Sequence, residues 1–185
     1  MKRIFIEAGH NNSDCGAIGN GYKEADLTKE ARNGIIANLK AMNFAGEIIA
    51  DSDAHSLGDT IAYFNSKKPM ASDLLISLHF NAATPQAHGT EVIYRANASE
   101  DVKLFCRNLA RTIVKDSNWT LRGEGGIVKE TATPHKKLGI LHLIPYSALI
   151  EFCFISNADE IKQYQAIKNS IFNNLAVYLL KLAQS

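Results

Sequence analysis

The sequence predicts a single α/β domain, a mostly parallel or mixed β-sheet with helices on both faces. Three observations predict it. Strand-like and helix-like segments alternate along the chain. Residues 73–79 form a near-continuous apolar run, the pattern of a strand covered on both sides. The 185 residues are 46% hydrophobic, enough for one well-filled core and too few for two comfortable ones. No repeat, low-complexity tract or linker divides the chain, so residues 1–185 read as one domain.

The elements follow in order. Residues 2–7 read as a strand around Ile4-Phe5-Ile6, and residues 9–21, rich in Gly, Asn, Ser and Asp, as a loop. Residues 24–42 have a helical period, with Leu27, Ala31, Ile35 and Leu39 on one face. Residues 46–50 read as a short strand and 56–65 as a helix capped by Ser56. After the apolar strand, residues 89–95 alternate in strand fashion and 99–115 form an amphipathic helix. Residues 117–134, heavy in Gly and charge, are too long for a simple connector; loops of that size are usually functional or mobile. Residues 138–143 and 148–154 read as two further strands. Asn157 then opens a closing helix, with Glu160 placed as in a capping box. The order β-α-β-α-β-β-α-β-β-α implies a sheet built largely from parallel crossovers.

Composition excludes several classes. The net charge is +1 and no basic run interleaves with aromatics, which argues against a nucleic-acid partner. No apolar segment approaches the roughly 20 residues that cross a bilayer; residues 175–182 read as a docking helix. The opening residues lack the long apolar stretch and small-residue cleavage site of a secretory signal, so synthesis in the cytoplasm without a signal peptide is expected. Three cysteines without a C-x-x-C pair suggest neither a disulfide framework nor a thiolate metal site, and Cys106 and Cys153 read as small buried hydrophobes.

Polar residues stand where an α/β fold places its site, near the C-terminal ends of strands. His10 follows the first strand, His79 ends the apolar run, and Glu151 interrupts Leu149-Ile150-Glu151-Phe152. Glu24, in the first turn of a helix, can fold back over the same edge. Two imidazoles and a carboxylate are a common zinc set that leaves a position for water, and Glu151 is the candidate base. Taken singly, each has another reading. A strand-end histidine can be a hydrogen-bonded structural residue, and a first-turn glutamate can serve the helix dipole.

Ordered motifs add a resemblance. Residues 6–19, with Gly9-His10, Asp14, Gly16-Ala17 and Gly19, resemble the opening motif of zinc-dependent N-acetylmuramoyl-L-alanine amidases. Gly21-Tyr22-Lys23-Glu24 is similar to the second motif, Ser77-Leu78-His79-Phe80-Asn81-Ala82 to the third, and Gly89-Thr90-Glu91-Val92 to the strand beyond it. Pro145 through Asn157 resembles the closing motif around Glu151. The matches occur in the family's order over nearly the whole chain. The resemblance implies Zn2+ held by His10, Glu24 and His79, with metal-bound water as nucleophile and Glu151 as general base and acid. The substrate implied is peptidoglycan, cut between N-acetylmuramic acid and the L-alanine of its stem peptide. Asn81, Arg122 and His142 are the candidate substrate contacts. For His142, where the family often has Arg, a structural role is equally open.

Some positions depart from the family pattern. Glu7 replaces an Asp, Asn11-Asn12 a Gly-Gly pair, and Thr60 stands where an arginine is expected. A monomer acting on the cell wall, as a phage lysin does after release, is the expected setting. Two other functions stay open: a zinc peptidase or deacylase acting on another amide, and a non-catalytic wall-binding domain of the same fold.

Overall fold

The computed structural model describes residues 2–185. The chain begins with β1 (Ile4–Ala8), a small hairpin of β2 (Ile18–Gly19) and β3 (Tyr22–Lys23), and α1 (Glu24–Ala41). Then come β4 (Ile48–Ala50), α2 (Leu57–Ser66), β5 (Leu74–Asn81) and β6 (Glu91–Tyr94). The second half holds α3 (Glu100–Val114), β7 (Ile127–Lys129), two 3-10 turns (Glu130–Ala132 and Gly139–His142), β8 (Tyr146–Phe154) and α4 (Ala158–Gln184).

Six strands form one mixed sheet in the order β4-β1-β5-β8-β6-β7. The first four are parallel, β6 runs antiparallel to β8, and β7 is parallel to β6. From β1 the chain moves outward to β4 and then crosses to β5 on the other side. That reversal opens a crevice at the carboxyl ends of β1 and β5.

The sheet's two faces differ. Ile4, Ile6, Ile76, Leu78 and Ile150 point into the larger core with α1, α3 and α4. Phe5, Leu75, Ile93 and Leu149 point the other way, against Phe64 of α2 and Ile140 and Leu141 of the second 3-10 turn. The strand period of two continues along this smaller face, so Glu7, Ser77, His79 and Glu151 follow the apolar residues toward the carboxyl edge. His79 is held there by its neighbour. Phe80 is buried on the opposite face, edge-on to Tyr164 at 4.8 Å, a pairing worth about 0.5–1.5 kcal/mol beyond its area.

Local chemistry accounts for the helix ends. Ser56 and Asp59 form a complete capping box on α2, and Ser99 caps α3. Asn157 accepts from the N–H groups of Asp159 and Glu160, but the Glu160 carboxylate does not complete a box. It accepts instead from the N–H groups of Gly89 and Phe154, tying α4 to the sheet edge.

Three segments differ from the sequence reading. Residues 9–21 contain a hairpin whose turn, Asn20-Gly21, has positive φ at both residues, the geometry two-residue hairpins need. Residues 138–143 are not a strand. Ile140, Leu141 and Ile144 are buried at helical spacing, and Gly139 turns tightly beside Ile61 of α2. The strand missing there is supplied by β7, three residues inside the expected long loop.

Candidate active site

A cavity of about 870 Å3 opens on the polar edge of the smaller sheet face. It is lined by Glu7, His10, Glu24, His79, Asn81, Glu91, Arg122 and Glu151, with further walls from α2 and the segment 132–140.

His10 stands one residue beyond Gly9 at the end of β1, with a left-handed φ of 68° that non-glycine residues adopt rarely and that clusters at functional sites. Two glycines make room for the imidazoles. A Cβ on Gly9 would meet the His79 ring at 2.3 Å, and one on Gly16, itself at φ +64°, would meet the His10 ring at 2.5 Å.

Glu24 lies between the two histidines. Its Oε1 accepts from the Phe80 N–H at 3.0 Å and faces His79 Nδ1 at 3.0 Å. Its Oε2 accepts from the Ala17 N–H at 3.0 Å and faces His10 Nε2 at 3.0 Å. Burial opposes its charge, yet the imidazoles and backbone donors hold its pKa well below the usual carboxylate range. His79, which burial would keep neutral, is raised to about 9 by the Glu24 hydrogen bond and by the charges of Glu151 and Glu7. His10 is raised by Glu24, against burial, and further by Asp14, whose Oδ2 lies 2.9 Å from its Nδ1. Ligating atoms of His10, Glu24 and His79 lie within 4.8 Å of one another, a group that could hold a metal ion. Asp14 would then fix the tautomer of His10, as carboxylates commonly do behind metal-bound histidines.

Glu151 is the register partner of His79 on the adjacent parallel strand and of Glu91 on the antiparallel one. Its Oε2 is buried without a hydrogen-bond partner. Burial raises its pKa to about 8, opposed by His79 and reinforced by Glu24 and Glu91. Directly after this pair the β5–β8 register shifts, so that Asn81 faces Phe154. Deeper on the same face, Ser77 donates to Glu7, whose pKa burial also raises.

The other expected residues divide. Asn81 and Arg122 line the cavity and are joined through Glu91, which accepts from Asn81 Nδ2 at 3.0 Å and from Arg122 Nε at 2.7 Å. The Arg122 guanidinium also lies 4.8 Å from the centre of the Phe154 ring and donates to the His88 carbonyl. His142 is not among the residues lining the cavity; its Nε2 lies 3.1 Å from both oxygens of Glu130. His55 and His135, in loops where a solvated surface imidazole is the default, line the cavity. Sequence reasoning passed over Asp14, Glu91 and the two glycine cradles as functional parts. The signal for Glu91 was its place in an alternating strand, which says nothing of its neighbours until the strand order is known.

Comparison with known proteins agrees with this architecture. The family described as N-acetylmuramoyl-L-alanine amidase matches residues 4–176. YqiI of Bacillus subtilis, an uncharacterized protein, is 27% identical over 166 residues, covering 86% of this chain and 73% of its own. The endolysin of Bacillus phage SPP1 is 28% identical over 182 residues, and the chain spans only 62% of its length. Among solved structures, a putative N-acetylmuramoyl-L-alanine amidase from Neisseria meningitidis superposes with a TM-score of 0.78 at 28% identity, over 95% of this chain and 92% of that one. The match across almost the full domain, on motifs that converge at one cavity, means that the chain belongs to the N-acetylmuramoyl-L-alanine amidase family.

Proposed function

We propose that the chain is a zinc-dependent N-acetylmuramoyl-L-alanine amidase that hydrolyses the amide between the lactyl group of N-acetylmuramic acid and the L-alanine of the stem peptide. The observation that carries this reading is the placement of a buried, unpartnered carboxylate oxygen of Glu151 beside the His10–Glu24–His79 group. Two imidazoles and one carboxylate suit Zn2+ and leave a position open for chemistry. A bound Zn2+ supplies Lewis acidity that polarises a carbonyl and acidifies water.

The chain's own residues do the rest. Glu24 would hold the ion together with His10 and His79, its own position set by the Ala17 and Phe80 N–H groups. Glu151 takes the proton of the attacking water on Oε2 and delivers it to the amide nitrogen as the C–N bond breaks. Water adds to the carbonyl carbon, so the products are a lactyl carboxylate and a free alanine amine. Asn81 and Arg122, fixed through Glu91, present donors to the substrate beside Glu151. All of these groups come from one chain, and we assign residues 1–185 as one catalytic domain working as a monomer on the cell wall. The kinship with an endolysin favours a lytic role.

The test is digestion of purified peptidoglycan before and after chelation, with zinc added back and the new termini identified. Metal-dependent appearance of alanine amines matched by muramyl lactyl carboxylates is expected. New amines on any other residue would assign a peptidase instead.

A further inference from the structure

One wall of the cavity, residues 133–138, is an irregular segment that contributes Thr133, Pro134, His135, Lys137 and Leu138 to its lining. It lies between two 3-10 turns, and Lys136 within it has a left-handed φ of 59°. Glu130, at the near end, is 1% exposed. Its Oε1 accepts from the Ala96 N–H at 2.7 Å, just beyond β6, and its Oε2 from the Leu138 N–H at 2.8 Å. His142, at the far end, brings Nε2 to 3.1 Å from both oxygens. One buried carboxylate therefore ties both ends of the wall to each other and to the sheet.

We propose that Glu130 and His142 form a latch that holds this wall at its distance from Glu151 and so sets the fit of the substrate. The pair acts as positioning residues, and His142 serves the substrate without touching it. The inference rests on the amidase reading for its kinetic consequence and on geometry alone for the latch. Burial disfavours the Glu130 charge, and the Leu138 and Ala96 N–H groups with His142 hold its pKa below the usual range. Removing His142 leaves the two backbone bonds but takes from a buried carboxylate its one side-chain hydrogen-bond partner among the described residues. Residues 133–138 then open locally, while Ile140 and Leu141 stay packed in the smaller core.

The experiment compares the wild type with His142→Ala, His142→Arg and Glu130→Gln, measuring kcat and KM on a soluble muramyl peptide and limited trypsin cleavage after Lys136 and Lys137. For His142→Ala we expect KM to rise about tenfold with kcat within about twofold, and cleavage at those lysines to accelerate about tenfold. His142→Arg, which supplies N–H donors to the Glu130 carboxylate, restores both. Glu130→Gln reproduces the alanine phenotype in weaker form and keeps the test available should His142→Ala fold poorly. Unchanged KM and unchanged cleavage would overturn the latch. So would a fall in thermal stability with cuts spread along the chain, the mark of a merely structural role. An inactive wild type would defeat the amidase reading, and the cleavage pattern would then decide the latch by itself.

Discussion

His79 and Glu151 are paired directly across the parallel ladder between β5 and β8, with their side chains on the same face of the sheet. Their separation is set by strand register rather than by a loop. A slip of one residue would send either side chain into the core with α1, α3 and α4. The proposed ligand and the proposed base are thus fixed by the same hydrogen bonds that build the fold.

The glycine cradles give the first prediction. Gly9→Ala places a methyl where the His79 ring lies, and Gly16→Ala does the same to His10 at a φ that disfavours any side chain. Each should cost about 1–3 kcal/mol of stability through overpacking and strain. Each should also lower zinc affinity by about tenfold or more, because the ligands are re-aimed. Competition with a chromophoric chelator, alongside urea unfolding, separates the two effects. Wild-type affinity in both variants would show that the rings need no such clearance.

Asp14 gives the second. Its carboxylate faces His10 Nδ1, and its pKa is lowered by that bond and by the Gly16 N–H. Asp14→Asn should keep the fold and lower zinc affinity by about tenfold, the lower end for such partners because Asp14 is exposed. Titration of zinc into both proteins reads the difference directly.

The third concerns acid stability. Asp73, fully buried, accepts from the Arg3 backbone and guanidinium and from the Met70 N–H, joining the start of β1 to the turn before β5. Burial pushes its pKa up, but these bonds outweigh burial and the net shift is downward. A carboxylate with a depressed folded pKa adds stability above its unfolded value of about 3.9, and the gain is lost as pH falls through the folded value. Asp73→Asn should therefore cost about 2–4 kcal/mol near neutral pH. The gap between mutant and wild type should close as the solution is acidified below the carboxylate range. A gap independent of pH would contradict this account.

Much of this was legible in the residues. The apolar runs in β1 and β5 identified the buried strands, and Ser56 and Asn157 marked helix starts where they occur. His10, Glu24, His79 and Glu151 lie too far apart for any local spacing rule, so their convergence was readable only through motifs in the family's order. Other features needed three dimensions. Glu91 meets Asn81 and Arg122 because β8 lies between β5 and β6, an order no window of sequence contains. Residues 138–143 misled because a short apolar run fits a strand and a tight helical turn alike, and only packing against Ile61 and Phe64 selects the turn. For His142 a substrate contact and a structural role were equally open, because its partner Glu130 lay in a stretch legible only as a long loop rich in Gly and charge.

The most direct test of the central claim is zinc content and amide hydrolysis measured on one preparation of Glu151→Gln. The account predicts one zinc per chain, as in the wild type, with turnover reduced about 10^2- to 10^4-fold by loss of the proton carrier. Wild-type turnover in a variant that binds zinc normally would contradict it.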